Sequence, residues 1–314
     1  MAISIVLLLL ALLVVVYARY RREVDRALAR VAAGGHVVQT PCGPIEYAAA
    51  GDGPPVLVVH GAGGGFDQGL DLGRDLAASG FRVIAPSRFG YLRTPLPQDA
   101  SAAAQADAHA CLLDALNVAR AVIVGASAGA PSAMQFALRH PGRTAALVLL
   151  VPAAYAPREG HPLPLSRPPG AIFLAQAILQ SDFLFWAALR LAPNAMMRGI
   201  LGTPPEVVAA ASPGERGRVR QTLDHVLPVS PRRRGLLNDA EVVTRLPRYD
   251  LERIAAPTLV LSVADDLYGT FDGARYTAEH IPRARFIGYP SGGHLVVGYD
   301  KEVAAAIAAF LKSA

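Results

Sequence analysis

The stretch Val122-Ile123-Val124-Gly125-Ala126-Ser127-Ala128-Gly129 constrains the fold more than any other part of the chain. Ala121 to Val124 is the short apolar run of a strand covered on both faces. Ala128 to His140 reads as a helix, stopped by Pro141-Gly142. Between the two, Gly125 and Gly129 bracket a serine as G-x-S-x-G, the spacing of a strained strand-to-helix turn that exposes the serine hydroxyl. Ala126, Ala128 and Ala130 add almost no bulk where the two backbones approach. An ordinary glycine-rich turn would show the same residues, so the other motifs decide.

The first twenty residues carry the second signal. Ala2 to Val16 has no charge, is dominated by Leu, Ile and Val, and runs into Tyr17-Ala18-Arg19-Tyr20-Arg21-Arg22. Counted through Ala18 this gives 17 residues, at the short end of what crosses a bilayer as a helix. The tyrosines suit the interface and the arginines the headgroups. A cleaved signal peptide would carry a basic leading region and a small-x-small site, and both are missing. The expectation is an uncleaved anchor over residues 1–20, with arginines on its C-terminal side that leave the main domain in the cytoplasm. Residues 21–35 form a juxtamembrane linker, read either as a short amphipathic helix on the membrane surface or as a solvated spacer, ending at Gly34-Gly35.

The net charge of +5 comes from 30 basic residues, of which only Lys301 and Lys312 are lysines, spread along the chain. Nucleic-acid binding is not implied. Cys42 and Cys111 have neither metal spacing nor a framework, so no disulfide is expected to organise the fold, and a reducing compartment is compatible.

His36–Thr40 and Ile45–Ala49 look like strands around the turn 41–44. Pro55 to His60 is a buried strand that runs into Gly61-Ala62-Gly63-Gly64-Gly65. Glycine permits positive φ and close approach of backbone to ligand, and a strand-end loop with free N–H groups can polarise a carbonyl oxygen. A phosphate loop would need G-K-[ST], and a dinucleotide loop a different glycine interval. A helix near 66–79, the strand Arg82–Pro86, the loop Ser87-Arg88-Phe89-Gly90-Tyr91 and an Ala-rich helix near 99–116 lead to the serine turn. The strand Ala146–Val151 follows it.

The His60-Gly61 glycine loop, the Ser87-Arg88-Phe89-Gly90 loop and the Ser127 elbow, in that order and at those intervals, resemble the α/β-hydrolase superfamily. The strand Pro257 to Leu261 before Asp265-Asp266, and Gly292-Gly293-His294 after the strand Ala284–Tyr289, extend the resemblance to roughly residues 36–314. It implies a mostly parallel α/β sheet with helices on both faces, built from residues 36–152 and 249–314, with a helical cap over 153–248.

A serine hydroxyl needs a base and a third group that orients the base. The superfamily's chain order is serine, acid, histidine. This implies Ser127 as nucleophile and His294 as base; His60 is read as shaping the glycine loop. For the acid the family has G-x-x-D, and here Val263 stands in the glycine's place. Asp266 fits the count, Asp265 remains the second candidate, and the one not facing His294 is expected to cap the following turn. The oxyanion donors implied are the backbone N–H groups of Ala62 and Ala128. No cofactor or metal is implied.

Within the insertion, Pro157 to Pro169 is Pro-rich and Ala171 to Leu191 strongly apolar. A second membrane span there would place Gln176, Gln180, Ser181 and Asp182 in lipid, so cap helices lining an acyl pocket are the better reading. Arg216, Arg218, Arg220 and Arg232 to Arg234 are read as a solvated face, or as a contact for anionic headgroups or an acidic substrate. The function expected is a membrane-anchored serine hydrolase of the carboxylesterase or lipase type, acting on an apolar ester. Its rivals are cofactor-free haloperoxidase or acyltransfer chemistry on the same triad, and a ligand-binding module without catalysis.

Overall fold

A computed structural model describes residues 2–157 and 177–313. Eight strands form one sheet in the order β1-β2-β4-β3-β5-β6-β7-β8. β1 (His36–Thr40) and β2 (Gly43–Ala50) make an antiparallel hairpin, and β2 lies antiparallel to β4 (Arg82–Pro86). From there every pairing is parallel: β4 with β3 (Pro55–Val59), then β5 (Ala121–Ala126), β6 (Thr144–Leu150), β7 (Thr258–Val263) and β8 (Ala284–Tyr289).

The period of two sorts the strand residues into two apolar layers. Leu57, Val59, Ile123, Leu147, Leu149 and Val260 face α3 (Ala102–Ala115), α4 (Ala130–Arg139) and α10 (Phe271–His280). Val56, Val58, Val122, Val124, Val148, Leu259 and Leu261 face α2 (Phe66–Ala78) and α11 (Asp300–Ser313). Both faces are covered, which is why these strands read as continuous apolar runs.

The described part of the chain between β6 and β7 is mostly helical. Among the described residues it comprises α5 (Asp182–Leu191), α6 (Pro193–Ile200), α7 (Pro205–Ala210), α8 (Pro213–Asp224) and α9 (Arg233–Thr244). They share an apolar core that includes Phe185, Trp186, Met196, Val219 and Leu223. The expected apolar stretch from Ala171 falls partly outside the described residues, as does most of the Pro-rich segment. Ser181 caps α5, accepting from the amides of Phe183 and Leu184, and Asp182 accepts from the amides of Val229 and Ser230. These polar residues are used inside the helical layer.

Three expectations are corrected. The anchor and the linker are one helix, α1 (Ala2–Gly34), without a break at the presumed linker. One face of its second half packs on the protein, with Val24 and Val31, seven residues apart, buried, while Asp25, Arg26, Leu28 and Ala29 on the other side are exposed. Second, Cys42 and Cys111 are joined as a disulfide, Cα to Cα 6.1 Å, tying the hairpin turn to α3 across 69 residues of sequence. Spacing rules see only local pairs, and this one exists only once β1, β2 and α3 are packed.

Third, Arg232 is not on a solvated face but is fully buried. It forks onto Asp67, with Nη2–Oδ2 at 2.7 Å and Nη1–Oδ1 at 3.1 Å, and Arg30 of α1 pairs with the same carboxylate. A second buried fork runs the other way, from Arg88 in the core to Asp239 in the helical layer, with both N–O distances 2.6 Å. Burial alone would raise the Asp67 carboxyl, but Arg232 and Arg30 outweigh it and hold it well below the usual 3.8. Because the folded value is depressed, this pairing stabilises the fold fully above the ordinary carboxylate range and is lost as pH falls through the folded value.

Removing one partner of such a pair leaves an uncompensated buried charge. Asp239→Asn is expected to cost about 3–5 kcal/mol in urea unfolding of the detergent-solubilised chain. Arg88→Met combined with Asp239→Leu should recover most of that loss. A cost for Asp239→Asn below about 1 kcal/mol, the range of exposed pairs, would show that Arg88 is not desolvated.

Candidate active site

The serine turn is built as its glycines require. Ser127 has φ of 49° and opens a 3-10 turn, Ser127–Gly129, between β5 and α4. A β-carbon on Gly125 would lie 2.6 Å from that of Ala133, and one on Gly129 2.5 Å from the His60 carbonyl oxygen. Strand and helix therefore approach only because both positions lack side chains. A left-handed φ on a non-glycine residue costs about 1–3 kcal/mol and is held only by surrounding structure. The Ser127 carbonyl accepts from the Ala153 amide at 3.0 Å, which helps to hold it.

The glycine loop packs directly on this serine: a β-carbon at Gly61 would sit 3.1 Å from Ser127 Cβ. Its amides are mostly engaged. Gly61 donates to Gln68 Oε1, Gly63 to the Tyr91 hydroxyl, and Gly64 to the Gly61 carbonyl. The Ala62 amide has no acceptor among the described residues, and Ala128 lies in the first turn after Ser127, where helical amides lack internal partners. The Ala62 amide follows Gly61, which packs on Ser127, and the Ala128 amide follows Ser127 directly.

His60 and Arg88 hold the loop from below. The Arg88 amide donates to His60 Nε2 at 3.0 Å, so the ring's proton is on Nδ1, which donates to the Gly61 carbonyl at 2.7 Å. Burial, reinforced by the Arg88 charge, pushes the His60 imidazole well below its usual range, so it stays neutral and fixed. The Arg88 guanidinium donates to the carbonyls of His60 and Gly61, and Arg232 donates to that of Gly64. The Ser87-Arg88-Phe89-Gly90 motif was visible in the sequence, but its partner Asp239 lies 151 residues away and no local signal marks it.

At the far strands the two aspartates divide the work. Asp266 Oδ2 accepts from His294 Nδ1 at 2.7 Å and from the Thr270 hydroxyl, while Oδ1 accepts from the Tyr268 amide at 2.8 Å. Burial raises this carboxyl, but His294, Thr270 and Tyr268 outweigh that and hold it below its ordinary value. Asp265 instead accepts from the amides of Gly292 and Gly293, at 3.2 and 2.7 Å. It pins the loop that carries His294 and does not cap the turn after itself, contrary to expectation. Valine is accepted at position 263 because that residue remains inside β7, paired with Tyr289.

The histidine is boxed further from two sides: its amide donates to the Gly202 carbonyl of the helical layer, and its ring meets Tyr268, in the loop after β7, edge-on at 4.9 Å. The Asp266–His294 pair is formed in this state. The Ser127 hydroxyl makes no side-chain hydrogen bond among the described residues, and it remains partly accessible. No group of three or more His, Cys, Asp or Glu side chains gathers as a metal site among the described residues. A concavity of about 560 Å³ lies elsewhere, between α4 and the segment 248–253, and contains none of these residues.

Serine on a strained elbow after a central parallel strand, beside a glycine loop, with an aspartate–histidine pair in the loops after two later strands, is one architecture. A family model for the alpha/beta hydrolase fold matches residues 54–300. The chain belongs to the α/β hydrolase family. An uncharacterised hydrolase of Bacillus subtilis is 27% identical to this α/β hydrolase over 268 residues, 81% of this chain and 89% of the relative. Other curated relatives, 29–38% identical, match over 30–44% of their own length. Among solved structures, an alpha/beta hydrolase fold protein from Nakamurella multipartita is 28% identical with TM-score 0.69, over 89% of this chain and 99% of that one. A thermophilic esterase from Thermogutta terrifontis is 25% identical with TM-score 0.64, over 90% and 99%.

Proposed function

We propose that this α/β hydrolase is a membrane-anchored serine hydrolase that cleaves an apolar carboxylic ester through an acyl-enzyme on Ser127. Its bilayer contact is α1, and its other partner is the small ester substrate. His294 takes the Ser127 proton, Asp266 holds the imidazole with Nδ1–H toward itself so that Nε2 can act as base, and the amides of Ala62 and Ala128 receive the oxyanion. One observation carries the reading: among the described residues the Ala62 amide has no acceptor, whereas the Gly61, Gly63 and Gly64 amides of the same loop do, and Gly61 packs on the strained serine. Ser127 and His294 share no hydrogen bond among the described residues, and catalytic hydrogen bonds often close only in the substrate complex.

An apolar ester is supported by the helical layer, whose aromatic and aliphatic core adjoins the His294 loop through Leu295 and Val297. The esterase among the structural neighbours agrees in reaction class. A fluorophosphonate probe is expected to label the native chain in membranes, and the label should be absent from Ser127→Ala. Folded protein that takes up no probe would favour a non-catalytic binding module.

The anchor is supported by α1, whose 18-residue window has a mean hydropathy of 2.5 and no burial against the protein. Arg19, Arg21, Arg22 and Arg26 follow the apolar run, which supports a cytoplasmic catalytic domain. The Cys42–Cys111 disulfide opposes this orientation, since disulfides are rare in the cytoplasm and persist in oxidising compartments. Labelling of the two cysteines in freshly denatured cells decides: alkylation only after reduction, the result the disulfide predicts, places the domain outside the cytoplasm, and alkylation without reductant places it inside.

A further inference from the structure

The anchor helix does not merely precede the hydrolase; it is packed onto the layer that covers the site. Val16, Tyr20 and Ala27 of α1 pack against the apolar core of the helical layer. The Tyr20 ring meets Phe183 at 5.1 Å and Trp186 at 5.7 Å, both edge-on, and Tyr17 lies 6.0 Å from Tyr20. One turn further along, Glu23 accepts from the Trp186 indole N–H at 2.8 Å and pairs with Arg190. Arg30 donates to the Leu227 carbonyl at 2.6 Å and pairs with Asp67 of the core. Helix α5 thus runs beside α1 with its Phe183 end toward the apolar run and its Arg190 end away from it.

Length then fixes depth. The 17 residues from Ala2 to Ala18 make about 26 Å of helix, less than the roughly 30 Å of a hydrocarbon core. A short span leaves no spare length, so whatever is bound to its last turn is drawn to the interface. The residues bound there are aromatic: Tyr17, Tyr20, Phe183 and Trp186 form one cluster shared by anchor and covering layer, the residue type that settles at headgroup level. Beside it Phe183 and Leu184 are 39% and 43% exposed. In water that exposure is unfavourable, whereas against the bilayer that holds α1 the same side chains are buried.

Resting on the membrane-anchored reading above, we propose that the Phe183–Leu184 end of α5 is an interfacial contact. It seats the covering layer in the leaflet, so that the ester is taken from the bilayer and not from bulk water. The occupant of this patch is lipid because the patch is continuous with the exposed apolar face of α1, from Ile3 to Val15.

The chain carries a single tryptophan, Trp186, at this position, which makes depth directly measurable. The full chain would be reconstituted in phosphatidylcholine vesicles brominated near the top of the acyl chains. Insertion of an interfacial helix to the usual depth should quench roughly half of the Trp186 emission, with less quenching by lipids brominated deep in the chains. Co-flotation with the vesicles is scored separately. A chain that floats but is not quenched overturns the interfacial contact and leaves the anchor standing; a chain that does not float removes both. In the same vesicles, Phe183→Ser with Leu184→Ser should lower kcat/KM roughly tenfold for a bilayer-partitioned long-chain ester, by loss of apolar contact. The same variant should leave a water-soluble short-chain ester unchanged. Equal effects on both esters, or none, would overturn the loading role.

Discussion

Replacing Ser127 by alanine is expected to lower kcat for a simple acyl ester by about 10⁴- to 10⁶-fold, the loss seen when a triad nucleophile is removed. The change deletes one oxygen and keeps Cβ, so the spacing to Gly61 is untouched. Thermal unfolding of the variant should match that of the parent. Ser127→Gly should be equally inactive yet more stable by about 1 kcal/mol, because glycine accepts a φ of 49° without strain. Residual turnover within tenfold of the parent would show that the nucleophile lies elsewhere. A Ser127→Gly variant less stable than the parent would remove the claim that the elbow stores strain.

The second large effect separates the two aspartates. Asp266→Asn is expected to lower kcat by about 10⁴-fold, because an amide facing His294 Nδ1 no longer fixes the tautomer that leaves Nε2 free as base. Asp265→Asn keeps an oxygen that can still accept from Gly293, so a loss of about tenfold or less follows from weakening a charged hydrogen bond. Steady-state kinetics on both variants decides between them, and the reverse ranking would move the acid to Asp265. Since Asp266 is held below its ordinary range, it stays ionised wherever the enzyme works.

Much of this was legible from the chain alone because the signals are local. A buried parallel strand must be a short apolar run, a tight strand–helix junction must lack side chains at fixed offsets, and a glycine-rich strand end must expose backbone amides. Those constraints marked β3, β5, β7 and β8, the Ser127 elbow and the glycine loop within a residue or two. The uncharged run before Tyr17 is equally local, being a matter of length and hydropathy.

The tertiary structure decided whatever depends on residues far apart in sequence. Asp265 and Asp266 are adjacent and chemically identical, and only the packing of β7 beside β8 sends one to the His294 ring and the other to the Gly292 and Gly293 amides. Arg232 sits in a basic stretch that reads as solvated, yet Asp67, 165 residues away, draws it fully inside. The disulfide between Cys42 and Cys111 and the seating of α1 on Trp186 belong to the same class. Periodicity fixes which face of an element is buried; which partner meets that face is chosen by the folded chain, where charge and shape from distant segments are first brought within a few ångströms.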